Sequence, residues 1–189
     1  MDGCADGRIH GRVTLVIGTR RDSPAMARAE AAGIETRVVS PRGLSEEEYA
    51  ENLRRALLPT DPDLLCLAGY MLRLPEALVR QYQHRVMNVH PALLPLFGGR
   101  GMFGEYVHAA AIASGMKVSG CTVHFVDSDY DTGPIIVQRC VPIEPDDTPQ
   151  TLAARVLPEE HRAYAEAVSL FAMGRLVVES GRVRVLPPT

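Results

Sequence analysis

Short apolar runs alternate along the first half of the chain with stretches opened by helix-capping residues. Val13–Gly18 is continuous and apolar and ends at glycine, which predicts a buried strand. Ser23-Pro24 opens a helix to about Ala32, with serine as cap, proline in the first turn and Gly33 as the stop. Ile34–Val39 is a second strand. Ser45-Glu46-Glu47-Glu48 starts another helix, its acidic first turn complementing the helix dipole, and Pro59–Pro62 closes it. Asp63–Ala68 is a third strand, apolar on both faces as in a parallel sheet covered on both sides. A turn at Gly69–Met71, a helix over Pro75–Tyr82 and a fourth strand over Arg85–Val89 follow. Strands alternating with helices define an α/β fold with a mostly parallel sheet.

The second half changes character. Leu96–Gly104 holds four glycines in nine residues, an irregular loop whose backbone can approach a ligand closely. A helix over Glu105–Ser114 follows. Lys117–Val126 and Ile135–Ile143 then form two strands joined by the acidic loop Asp127–Pro134, which is long enough to carry function. Thr148 caps a long helix to about Met173, which can run through or break near Pro158. A short strand pair around Glu179–Arg182 ends the pattern.

The length of 189 residues fits one domain. A net charge of −3 argues against a general nucleic-acid or anionic-membrane binder. No apolar run reaches membrane-spanning length, and the N-terminus does not resemble a signal peptide, so a cytoplasmic protein is expected. Cys4, Cys66, Cys121 and Cys140 are widely spaced and lack zinc-ligand spacing, so free thiols and no metal are expected. Cys66, Cys121 and Cys140 each fall in an apolar run and read as small buried hydrophobes. A hairpin can also bring Cys121 and Cys140 face to face.

Val86–Pro95 carries the densest candidate chemistry. Asn88 and His90 are two apart on a strand and point to one face, and Pro91 stops the strand. Two interpretations stay open: a polar strand end satisfied by the next loop, or a face that opens onto a site. In open α/β sheets ligands bind beyond the carboxyl ends of the strands, where Gly69–Leu74 and Asn88–Pro91 both fall. The loop bearing Asp131 can fold over the same rim. An amide, an imidazole and a carboxylate there would supply an oxyanion donor, a proton carrier and a group raising the imidazole's proton affinity. His124 alternates inward and reads as a core or supporting histidine. His108 is balanced between ligand contact and surface, His10 and His84 read as surface residues, and Arg100 as solvent-facing.

Asn88-Val-His-Pro-Ala-Leu-Leu-Pro95, Ser119-Gly-Cys-Thr-Val-His-Phe-Val126 and Asp131-Thr-Gly-Pro134 together resemble the folate-dependent formyltransferases. Leu67–Met71, Phe97–Gly104 and Glu160-His161 extend the likeness over nearly the whole chain from about Gly11, most closely to the branch acting on glycinamide ribonucleotide (GAR). The resemblance implies a Rossmann-like formyltransferase domain and transfer of the formyl group of 10-formyltetrahydrofolate to the GAR amine, without a metal. It implies Asn88, His90 and Asp131 as catalytic residues, with His90 protonated to stabilise the oxyanion. It puts the folate against Met71, Leu72, Arg73, Leu74, Asn88, Asp127, Tyr130 and Asp131. The nucleotide would meet Gly69, Tyr70, Met71, Pro91 and Glu160, with His124 and His108 behind. Small-molecule partners and a monomer or homodimer are expected, with no nucleic acid or membrane.

Two departures stand out. The first strand, phosphate-cradling loop and most of the first helix of the family pattern have no counterpart, so an N-terminally incomplete domain with a weakened phosphate grip is expected. Ser45–Glu48 is acidic where the family tends to place an arginine near the folate. Other members of the family, a formyltetrahydrofolate hydrolase and an impaired folate-binding module are the alternatives.

Overall fold

The computed structural model describes residues 1–188. Its elements in chain order are α1 (Asp2–Ala5), β1 (Leu15–Gly18), α2 (Pro24–Ala31), β2 (Glu35–Val38), α3 (Glu46–Leu57), β3 (Leu65–Cys66) and α4 (Glu76–Gln81). They continue as β4 (Val86–His90), α5 (Glu105–Ala113), β5 (Val118–Phe125), β6 (Ile135–Pro142), α6 (Pro149–Ala172), β7 (Leu176–Glu179) and β8 (Arg182–Val185). Local chemistry explains the helix starts. The Ser23 hydroxyl accepts from the Met26 N–H, and Ser45 and Glu48 form a reciprocal capping box. Thr148 and Thr151 do the same for α6. Of the two possibilities at Pro158, the helix takes the unbroken one. Leu152, Val156, Ala163, Ala167 and Leu170 bury one continuous stripe, and that packing outweighs the hydrogen bond the proline forfeits.

β1 and β2 pair in parallel, while a four-stranded sheet runs in the order β3-β4-β5-β6. β3 and β4 are parallel, and β4-β5 and β5-β6 are antiparallel. β7 and β8 form a terminal hairpin, turning through Ser180 and Gly181, both at positive φ. No ladder joins β1–β2 to the larger sheet among the described residues. Leu15 and Ile17 of β1 and Leu65 and Leu67 around β3 nevertheless pack on the same cluster, built from Tyr49, Leu53, Leu78 and Val79 of α3 and α4. The second core lies between α6 and the β4–β6 strands, around Met87, Cys121, Val123 and Phe125.

Several local expectations are corrected. The third strand pairs over only two residues and lies at a sheet edge, so Cys66 is exposed. Cys121 is buried but Cys140 is exposed. Gly120 stands opposite Cys140 and Arg139 opposite Cys121, so the two cysteines project to opposite faces and cannot meet across the hairpin.

The segment after β4 is anchored by one hydroxyl. Thr122, fully buried, donates to the Ala92 carbonyl at 2.6 Å and accepts from the Leu94 N–H and the Gln138 amide, both at 3.0 Å. Gln138 also donates to the Leu94 carbonyl. Thr122→Val keeps the shape and strands these partners. It is expected to cost about 2–3 kcal/mol in denaturant unfolding, and an unchanged midpoint would contradict the anchoring role.

Candidate active site

β4 ends in antiparallel register with β5, so Asn88 lies opposite His124 and His90 opposite Thr122 on one sheet face. The His124 Nδ1–H donates to the Phe125 carbonyl at 2.8 Å, because a carbonyl can only accept. Its Nε2 is thereby left to accept from Asn88 Nδ2 at 3.3 Å, which orients the amide and leaves its second N–H free. His124 is thus both buried and a direct support for Asn88.

The loop from β5 to β6 brings Asp131 to the same place. Its backbone takes the left-handed conformation at φ +59°, unusual for a residue with a side chain. Asp131 Oδ2 lies 3.5 Å from His90 Nδ1, and Oδ1 lies 3.6 Å from His124 Nε2. The Gly99 N–H donates to Asp131 at 2.9 Å, bringing in the glycine-rich loop. The Phe97 carbonyl accepts from His90 Nε2–H at 2.7 Å. Asn88, His90 and Asp131 therefore converge, together with His124.

The electrostatics modify one expectation. Burial pulls the His90 imidazole below its ordinary range, and Asp131 and the Phe97 carbonyl only partly offset it. Asp131 does raise the proton affinity of His90, but desolvation wins, so the ring is neutral near pH 7 rather than cationic. Burial also opposes the Asp131 charge, yet the hydrogen bond it accepts from the Gly99 N–H helps hold its carboxyl below the usual range.

The other candidates separate into groups. Arg73 Nε–H donates to the Ser128 carbonyl at 2.9 Å, tying the turn after β3 to the Asp127–Asp131 loop. Met71, Leu72 and Tyr130 are exposed large apolar residues on these two segments, so Met71 is not core. Asp127 accepts from the Asp129 N–H and the Thr132 hydroxyl and shapes the loop. Leu74 is buried in the α3–α4 core. Gly69 takes a positive φ in the turn, and the Tyr70 hydroxyl contacts that of Tyr49 at 3.3 Å. Pro91 is half-buried directly after His90. Glu160 is half-buried on α6 beside Cys121, whose side chain occupies the sheet face opposite Asn88 and His90. Burial raises the Glu160 carboxyl. Arg100 and His10 are exposed, and His84 is half-buried with its ring 5.9 Å from that of Phe125.

His108 is neither a surface residue nor in evident contact with a partner. It is 4% exposed, and its Nδ1 has no hydrogen-bond partner. Burial first, and His90 second, lower its proton affinity. Both histidines thus bind protons less readily folded than unfolded. Their contribution to stability is present above about 6.5, the ordinary imidazole value, and is lost as the pH falls through their lower folded values. His108→Leu removes the orphaned nitrogen and one of these groups. It is expected to stabilise the fold by about 1 kcal/mol and to flatten the acid loss in thermal melts. An unchanged pH slope would exclude His108 from that loss.

Sequence reasoning missed three supports. Tyr164, on α6, places its hydroxyl 2.9 Å from both the Leu67 and Met87 carbonyls, pinning the carboxyl end of β3 to the first half of β4. The Thr122–Gln138 anchor and the Phe97 carbonyl were equally unseen. Tyr164 falls four residues after Glu160 on the same helix, the only local signal that pointed to it. Among the described residues no group of three or more His, Cys, Asp or Glu is placed to hold a metal ion. None of their helices is long and apolar enough to cross a membrane.

Fold and site together define an open α/β protein with an amide–imidazole–carboxylate centre at the carboxyl edge of its sheet. The chain belongs to the formyl transferase family, whose model matches residues 1–168. It is 40% identical over 182 residues to the chloroplastic phosphoribosylglycinamide formyltransferase of Arabidopsis thaliana, covering 93% of this chain and 61% of that protein. The phosphoribosylglycinamide formyltransferase of Escherichia coli K12 is 36% identical, with 93% and 81% covered. The crystal structure of glycinamide ribonucleotide transformylase 1 from Symbiobacterium toebii superimposes with a TM-score of 0.92 at 44% identity, covering 98% of this chain and 86% of that one.

Proposed function

We propose that this chain transfers the formyl group of 10-formyltetrahydrofolate to the amine of glycinamide ribonucleotide. The observation that carries this is the convergence of Asn88, His90 and Asp131 at one sheet edge in a member of the formyl transferase family. The free Asn88 N–H binds the formyl oxygen as negative charge grows on it. His90, neutral, takes the proton that the attacking amine sheds and returns it to N10 as the folate departs. Asp131 stabilises the imidazolium that forms in between.

The turn Met71–Leu74 and the loop Asp127–Asp131, latched by Arg73 and Ser128, hold the folate, with Asn88 at its reactive end. Gly69, Tyr70, Met71 and Pro91 lie along the nucleotide, which passes around the sheet edge to meet Glu160 on the opposite face. No step calls for a metal. A single domain acting as monomer or homodimer in the cytoplasm, with four free thiols, completes the proposal.

The test is to mix the protein with 10-formyltetrahydrofolate and GAR and follow tetrahydrofolate. Turnover that requires GAR is expected. Formate release without GAR would replace transfer with hydrolysis, and folate binding without turnover would reduce the chain to a binding module. Because His90 must be unprotonated to accept the amine proton, kcat/KM is expected to fall with acid along a limb below about pH 6.5. A limb above that value would contradict a neutral, buried His90.

A further inference from the structure

His90 is held from two sides, and the two contacts differ in kind. Nε2 lies 2.7 Å from the Phe97 carbonyl oxygen, a full hydrogen bond. Nδ1 lies 3.5 Å from Asp131 Oδ2, too far for one. A carbonyl oxygen has no proton to give, so Nε2 must carry the hydrogen. The neutral ring then presents a lone pair at Nδ1, on the side where Asp131 lies.

We propose that the Phe97 carbonyl, rather than the Asp131 carboxylate, selects the tautomer of His90 and makes Nδ1 the nitrogen that handles the transferred proton. Phe97 is thus a positioning residue acting through its backbone. The inference rests on the formyl-transfer function above and adds the identity of the working nitrogen.

The Phe97–Gly99 segment is built for this contact. Phe97 adopts φ +54°, a left-handed conformation that a residue with a β-carbon takes only when its surroundings impose it. Gly98 follows because a β-carbon there would lie 2.6 Å from Leu94 Cδ2 and 3.1 Å from Asp131 Cβ. Gly99, at φ +97°, turns its N–H onto Asp131. Leu94 is fixed in turn by Thr122 and Gln138. Three consecutive residues therefore orient both the imidazole and the carboxylate, from a base tied to β5 and β6.

The chemistry closes. Nδ1 and the carboxylate are both acceptors, so the space beside them favours a group that brings protons, such as an amine becoming cationic. The amine nitrogen bonds to the formyl carbon, and the carbonyl π pair moves to oxygen. A proton passes from that nitrogen to Nδ1. The pair on oxygen re-forms the carbonyl as the bond from carbon to N10 breaks, and the proton on Nδ1 passes to N10. Nε2–H stays on Phe97 throughout. The other titratable groups facing His90 are His124 from β5 and His108 from α5, and both carry lone pairs or protons outside this path.

The test is long-range proton–nitrogen NMR of the full chain labelled with ¹⁵N-histidine, with His90 assigned by its loss in His90→Asn. The expected wild-type state above neutral pH is the Nε2–H tautomer, retained in Asp131→Asn. Gly98→Ala, which pushes the segment off, is expected to mix the tautomers. It should also lower kcat about 10²-fold while KM for the folate changes by less than about threefold. An Nδ1–H tautomer in the wild type, or a switch to it in Asp131→Asn, would overturn the proposal. So would a Gly98→Ala protein with tautomer and kcat unchanged. If Gly98→Ala does not fold, the wild-type and Asp131→Asn spectra decide alone. The tautomer is read without turnover, so absent GAR activity would sink the functional proposal and leave this result separate.

Discussion

Asn88→Ala and His90→Ala are each expected to lower turnover by about 10²–10⁴ in a steady-state formyl-transfer assay. The two losses have different origins. Asn88 has two amide protons, and His124 takes one of them because its own Nδ1–H is committed to the Phe125 carbonyl. Truncation removes the remaining proton from the formyl oxygen at the point where charge develops. Kcat and kcat/KM should therefore fall together. His90→Ala removes the proton carrier instead, so its deficit should lose the acid limb that the wild type shows. The side chains lie at a strand end with both loops anchored elsewhere, so neither substitution is expected to abolish folding. Near-normal rates in either variant would remove that residue from the mechanism.

Gly133→Ala is expected to destabilise the fold by about 3 kcal/mol or more and to depress turnover with it. A β-carbon at Gly133 would lie 1.8 Å from the Phe125 carbonyl oxygen and 2.8 Å from its carbon, a backbone clash that no rotamer relieves. The Phe125 N–H also donates to the Pro134 carbonyl at 2.9 Å, so the loop enters β6 locked against β5. Separating the two strands there breaks that bond. It also shifts Asp131, two residues earlier, away from His90 and His124. Denaturant unfolding checks the first effect and kcat the second. A stable variant with full activity would mean that the loop has room this structure denies it.

Helix starts were legible because their chemistry is local. Ser23, Ser45 and Thr148 satisfy orphaned N–H groups within three residues of themselves. The terminal hairpin was legible from Ser180-Gly181 for the same reason. Whether α6 breaks at Pro158 was not legible, because a proline weighs against a helix locally while the burial that keeps α6 whole comes from strands far away in the chain. Asp63–Ala68 was misread. An apolar run says that it can be covered, but the neighbour that covers an edge is a matter of topology.

The site divides along the same line. Asn88 and His90 could be paired from the sequence, since two-residue spacing on a strand sets one face. Asp131 could be nominated from its loop. The sequence by itself determined an α/β chain, the positions of its caps and turns, and the chemical groups available at the carboxyl edge. Only the tertiary structure decided which atoms those groups present. Burial keeps His90 neutral against the pull of Asp131, and His124 spends one proton of Asn88. Tyr164 ties the end of β3 to Met87 of β4, and Phe97 turns its carbonyl to Nε2. Each is a contact between residues distant in sequence or made by a backbone group. Side-chain identity and spacing carry no record of desolvation or of where a peptide carbonyl points.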